Sequence, residues 1–190
     1  MSLLLDQAAI RARVHRVSVG DYHRMGELGM LDENHELLRG YVVKKMPKSP
    51  LHARILQKLL MLLFRAIPAG MFVRCEQPLT IGDSEPEPDL SIVRGGPDDW
   101  AERHPSTAEL VVEVSISTLD TDLEKADIYA EAGVPEYWLV RPEQAEVDVY
   151  RRPVDGHYTE KFTLRGAETL LCGSIGSVEV NLGDLFAVRA

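Results

Sequence analysis

Cysteine is scarce: Cys75 and Cys172 are the only two in 190 residues, far apart and without metal-ligand spacing. That excludes a disulfide framework of the kind that staples small secreted domains and fits a reduced, cytoplasmic setting. No apolar run approaches the roughly 20 residues needed to span a bilayer, so no membrane helix is expected. The opening Met1-Ser2-Leu3-Leu4-Leu5-Asp6 lacks the basic start, long apolar stretch and cleavage site of a secretory leader. Positive charge is also short: 30 acidic residues face 21 basic ones, for a formal net charge of −9. Proteins that grip duplex nucleic acid unaided carry a basic face, because neutralised phosphates supply most of the non-specific affinity. Any nucleic acid is therefore expected to be weakly held, with Arg39 to Lys48 and Arg151-Arg152 as local basic patches. There is no internal repeat, no low-complexity tract and no Ser/His/Asp elbow. Gly95-Gly96 lacks the lysine and the helix start of a phosphate loop.

What is present is a 45% hydrophobic chain long enough for one core. We expect a single domain over residues 1–190, with 1–17 as an N-terminal arm or helix. Ser18 followed three residues later by Asp21 reads as a capped helix start running to about Glu27. Glu36 to Met46 reads as two short strands joined at Gly40. His52 to Ile67 has apolar residues at helical spacing and stops at Pro68. A strand over Met71 to Ile81 and an acidic, proline-containing turn over Asp83 to Pro88 follow. Arg94 to Thr107 is a polar loop, with a short helix expected near Asp98 to Arg103. Leu110 to Val114 reads as a strand covered on both faces. A helix over Thr121 to Ala132, closed by Gly133, and a strand over Tyr137 to Val140 come next, an order that implies a parallel crossover. Val147 to Arg151 and Tyr158 to Leu164 pair as a hairpin around Asp155-Gly156. Val178 to Val180 and a helical turn at Leu182 to Phe186 end the chain. The expected fold class is α/β: a central mixed β-sheet flanked by helices, with a C-terminal antiparallel hairpin.

Two apolar segments each carry one carboxylate. Asp89 opens Leu90-Ser91-Ile92-Val93, where a turn aspartate is ordinarily a local hydrogen-bond acceptor. Glu113 sits between Val112 and Val114, where an acid does nothing for solubility; its bland account is a salt bridge to a helix lysine. A carboxylate in apolar surroundings needs a cation or hydrogen bonds. Asp89 and Glu113 are therefore candidate ligands of one hard divalent cation, Mg²⁺ or Mn²⁺, which keeps part of its own water. Lys125 on the following helix could point its ammonium at the same place, although Asp122 and Tyr129 offer it ordinary local neighbours. His52 and Glu36 are weaker candidates: a histidine at a helix start is commonly a surface residue. Glu131 and Glu136, flanking Gly133, read as solvated ends.

Taken together, an ordered set of segments resembles the Uma-two family of restriction-endonuclease-like proteins within the PD-(D/E)XK nuclease superfamily. The set comprises Glu36-Leu37-Leu38-Arg39-Gly40, Met46-Pro47, His52, Pro86-Glu87-Pro88-Asp89 and Leu110-Val111-Val112-Glu113-Val114-Ser115. It continues with Asp122, Lys125, Tyr129 and Gly133-Val134-Pro135-Glu136-Tyr137-Trp138. The resemblance runs from about Ser18 to the end and implies a restriction-endonuclease-like fold and a metal-dependent endonuclease acting on DNA. It makes Asp89 the motif aspartate and Glu113 the second metal-binding acid, with the Val114 carbonyl as an extra ligand. Ser115 stands where the superfamily lysine would follow, so that role passes to Lys125, which would position or activate the attacking water. Glu36 or His52 would complete the site. Pairing of two copies is implied for cutting two strands, through apolar edges near Tyr137-Trp138 or the hairpin. The alternative is a non-catalytic interaction module on a nuclease fold; hydrolysis of another phosphate ester is a third, weaker option.

Overall fold

A computed structural model describes residues 13–188. The N-terminal arm or helix expected over 1–17 falls mostly outside the described residues. Its last part carries no helix, and Val17 N–H donates to the Gly40 carbonyl.

Helix α1 (Val19–Glu27) begins where the capping pattern places it: Ser18 Oγ accepts from the Asp21 backbone N–H at 3.1 Å. Strands β1 (His35–Leu38) and β2 (Tyr41–Lys44) form a hairpin. Its two turn residues, Arg39 and Gly40, both have positive φ (54° and 75°), the backbone that a tight two-residue hairpin demands. Helix α2 (Pro50–Ala66) starts two residues before the expected His52, because Ser49 accepts from the His52 N–H and Pro50 occupies the first turn.

Six strands make the main sheet, in the order β3 (Met71–Cys75), β4 (Leu90–Arg94), β5 (Leu110–Val114), β6 (Glu136–Arg141), β7 (Glu146–Val154) and β8 (His157–Arg165). Only β5 and β6 run parallel; helix α3 (Leu119–Glu131) makes the crossover between them, and Gly133 (φ 70°) follows it. The remaining neighbours are antiparallel. Strands β9 (Thr169–Leu171) and β10 (Glu179–Asn181) form a small separate pair, and helix α4 (Leu182–Phe186) closes the fold. The expected mixed α/β sheet with its C-terminal hairpin is what forms.

Three local expectations are corrected. The strand expected over Met71 to Ile81 stops at Cys75, because Glu76 takes a left-handed conformation (φ 53°) and Pro78 soon follows. The short helix of the polar loop is a 3-10 turn at Pro97–Trp100 rather than Asp98 to Arg103. Tyr137 and Trp138 do not form an exposed edge: β6 lies between β5 and β7, and both side chains are fully buried.

Alternation along β5 divides its side chains between two cores. Leu110, Val112 and Val114 pack with Ile55, Leu59 and Leu63 of α2. Val111 joins the opposite core with Ile128 and Tyr129 of α3 and with Tyr137 and Leu139. By the same alternation Glu113 is directed to the α3 side. Position in the pleat thus decides which helix can neutralise it.

Glu136 also departs from expectation. It is 1% exposed and accepts from Trp138 Nε1 (2.6 Å), Arg151 Nη2 (3.0 Å) and the Gly173 backbone N–H (2.7 Å). Glu136→Ala is expected to cost about 2–3 kcal/mol, since it strands several buried or half-buried donors. Urea unfolding checks this; a loss below about 0.5 kcal/mol would make it an ordinary surface acid.

Candidate functional site

The acidic turn before β4 is fixed from the side by the β1–β2 hairpin. Leu37 and Glu85 exchange backbone hydrogen bonds, with Glu85 N–H donating to the Leu37 carbonyl at 2.6 Å. This brings Glu36 beside the turn, where its Oε2 accepts from the Glu87 backbone N–H at 3.2 Å. Asp89, just before β4, turns its carboxylate toward the end of β5. Its Oδ2 accepts from the Val114 backbone N–H at 2.7 Å and lies 3.0 Å from His52 Nε2. Its Oδ1 is 3.8 Å from Lys48 Nζ.

Glu113 meets α3 as the pleat requires. Lys125 Nζ donates to Glu113 Oε1 at 3.1 Å and stands 3.0 Å from Glu36 Oε2. Tyr129, one turn further along α3, donates its hydroxyl to the same Glu113 oxygen at 2.9 Å. The other oxygen, Oε2, accepts from the Asp89 backbone N–H at 3.3 Å. Asp122, one turn earlier, accepts from Thr118 Oγ1 at 2.5 Å. Glu36, His52, Asp89, Glu113 and Lys125 are each 4–8% exposed. All five line one cavity of about 120 Å³, as do Val114 and Asp122.

All five candidate side chains are therefore brought together. Glu36 and His52, left as alternatives, both line the cavity, from different elements and with different partners. Glu36 meets Lys125; His52 meets Asp89. Val114 enters the network through its N–H. Tyr129 and Asp122, expected only as ordinary local neighbours of Lys125 and as parts of the family pattern, join the site, and their i, i+4 and i, i+3 spacing from Lys125 is what aligns them. The cavity rim runs from β2 into α2, within the basic patch noted between Arg39 and Lys48. Lys44, Lys45 and Lys48 line it, with Lys45 Nζ 2.6 Å from Glu87 and Lys48 paired to Glu76.

The electrostatics of the cavity are lopsided. Four acidic side chains, Glu36, Asp89, Glu113 and Asp122, surround one buried ammonium. Burial pushes the Glu113 carboxyl up to about 8, with Lys125 opposing and Asp122, Asp89 and Glu36 reinforcing the rise. Burial also raises Asp122, against the pull of Lys125 and the Thr118 hydrogen bond. For Lys125 burial acts downward, but Glu113, Glu36 and Asp122 together overcome it, so its proton is held more tightly than usual. Among the described residues no three His, Cys, Asp or Glu side chains form a complete metal-ligand cluster. Two carboxyl groups, of Asp89 and Glu113, face a cavity with room for several waters, which suits a hard divalent ion that retains its own waters, the Glu113 proton leaving as the ion binds.

A family model described as "Putative restriction endonuclease" matches residues 19–182. No curated protein matches the chain. Among solved structures, one titled "a putative nuclease" from Anabaena variabilis ATCC 29413 is similar, with a TM-score of 0.69 at 19% sequence identity. The match covers 85% of this chain and 96% of that one. At such low identity the structural likeness speaks for the fold alone.

Proposed function

The chain belongs to the Uma2 family of restriction-endonuclease-like proteins, and on that premise we propose that it hydrolyses phosphodiester bonds of DNA with a divalent cation, Mg²⁺ or Mn²⁺. The observation that carries this reading is the convergence of Asp89, Glu113 and Lys125 on one cavity. Asp89 and Glu113 would hold the ion, with the Val114 carbonyl as a further ligand. When bound, such an ion polarises the scissile phosphate and offsets charge on the leaving oxygen.

The chain's own groups have separable tasks. Lys125 stays protonated, so it acts as a positioned charge and donor and not as a base. An ammonium has three N–H groups; Glu36 and Glu113 engage two, leaving one for the attacking water or a phosphate oxygen. His52 and the Val114 N–H fix the Asp89 carboxylate in one rotamer. Tyr129 does the same for Glu113. On the rim, exposed Lys44 offers a positive charge to a phosphate, while Lys45 and Lys48 are paired with Glu87 and Glu76. Cutting both strands calls for two such sites; β8, the edge strand of the sheet among the described residues, is available for pairing two copies.

The test is nicking of plasmid and of single-stranded DNA at millimolar Mg²⁺ or Mn²⁺, with wild type beside Lys125→Ala and the protein's fold checked by circular dichroism. Metal-dependent cleavage by wild type alone supports the enzyme. Absence of cleavage in both, with calorimetry showing no divalent-ion binding, defeats it and leaves a non-catalytic interaction module. The exposed rim residue Lys44 gives a milder prediction. Lys44→Ala should weaken DNA binding similarly for all sequences and reduce the slope of log affinity against log salt by about one. Fluorescence titration across salt concentrations checks it, and an unchanged slope would remove Lys44 from the DNA path.

A further inference from the structure

The two carboxyl groups that face the ion site are recessed. Asp89 is 7% exposed and Glu113 4%, in a cavity of about 120 Å³. That space takes a hydrated ion and one phosphate group, so the strand has to turn a phosphate inward to deliver it. Duplex phosphates sit on a stiff cylinder that resists bending over tens of base pairs. An unpaired strand rotates freely about its backbone and can present one phosphate at a time.

The rim of the cavity is poor in free charge. Lys45 Nζ is 2.6 Å from Glu87 Oε1, and Lys48 is paired with Glu76. Exposed Lys44 is the rim's one lysine without an acidic partner among the described residues. Duplex DNA carries a negative charge about every 1.7 Å of its axis and is held by neutralising many phosphates together; a single strand has about half that density. One free lysine suits the sparser charge.

What the rim has instead is apolar surface. Val43, Met46 and Pro47 line the cavity from β2 and the segment after it, and Ile116 from the connection between β5 and α3. Met46 is 56% exposed and belongs to neither core, and Pro47 is exposed beside it. At a nucleic-acid site such side chains can pack on base faces. A duplex keeps those faces stacked inside, whereas an unpaired strand presents them. The flexible thioether of methionine adapts to any base, so this contact carries no sequence preference.

We propose, on the nuclease reading of this cavity, that its substrate is unpaired DNA: a single strand or an overhanging end, with paired segments cut only where they open. The test uses three labelled oligonucleotides at millimolar Mg²⁺ or Mn²⁺. These are a strand without self-complementarity, the same strand annealed to its complement, and that duplex extended by a single-stranded overhang. Wild type should show a kcat/KM at least about tenfold higher on the free strand than on the blunt duplex, which must first be opened. On the third substrate its cuts should fall in the overhang. Met46→Ser should raise KM for the free strand about fivefold with kcat kept, through loss of a base contact. Its divalent-ion binding, followed by calorimetry, should match wild type. Met46→Lys exchanges apolar surface for charge and should narrow the ratio between strand and duplex. Both variants should fold, since Met46 is exposed and outside the cores. A smaller ratio in wild type, or an unchanged KM in Met46→Ser, overturns the preference for unpaired DNA and leaves the nuclease reading standing. No cleavage of any of the three overturns it as well, and calorimetry on the same sample shows whether the nuclease reading falls with it.

Discussion

Asp89→Asn is expected to lower metal-dependent DNA cleavage by about 10³-fold while leaving the fold in place. The size follows from the few kcal/mol of transition-state charge stabilisation that a bound cation provides, each 1.36 kcal/mol being tenfold in rate. Preservation of the fold follows from the contacts. The structural work of Asp89 is done through Oδ2, which accepts from the Val114 N–H and faces His52 Nε2. An asparagine carbonyl oxygen can take both roles, so the substitution removes charge and little else. Stability should change by less than about 1 kcal/mol. Plasmid nicking, divalent-ion calorimetry and urea unfolding are to be run on the same preparation. Cleavage within tenfold of wild type would remove Asp89 from the chemistry. A loss of about 3 kcal/mol or more would recast it as a structural acid.

Lys125→Ala carries the largest expected effect on stability, about 3–5 kcal/mol, because it removes the cation shared by the buried Glu36 and Glu113, leaving Glu36 without its charge partner and, above about pH 8, Glu113 as well. The exposed pair Arg39–Glu131, by contrast, is of the kind usually worth under about 1 kcal/mol. Adding Glu36→Gln to Lys125→Ala should recover part of the loss, a coupling that a double-mutant cycle measures. The pH dependence has a definite sign. Glu113 in the folded protein holds its proton up to about pH 8, against an ordinary value of 4.5. Its contribution therefore favours folding fully below the unfolded value and is lost as pH rises through 8. Lys125 opposes that upward shift, so its removal extends the decline to higher pH. The gap between wild type and Lys125→Ala should widen above about pH 8. A deficit below about 1 kcal/mol, or one that shrinks in alkali, would mean that the ammonium is solvated and not holding the two acids.

These expectations rest on features of unequal visibility. Glu113 is conspicuous because an acid inside Leu110 to Val114 violates the local apolar pattern, and such violations mark sites. The α1 start and the Asp155-Gly156 turn follow from capping and turn chemistry, which operate within a few residues. Glu136 shows the limit. It looks like the solvated end of a helix-to-strand connection, yet its partners come from β7 and from Gly173, distant in sequence.

The amino-acid sequence by itself determined the α/β class and most element positions and singled out Asp89, Glu113 and Lys125 as candidates, because periodicity, capping and an out-of-place charge are local properties of the chain. Tertiary structure alone decided that Glu36 and His52 both belong to the cavity, that Tyr137 and Trp138 are interior and that a lysine rim faces the acids. Those facts depend on which strands become neighbours and which face each residue presents, and residues close in space there lie tens of positions apart along the chain.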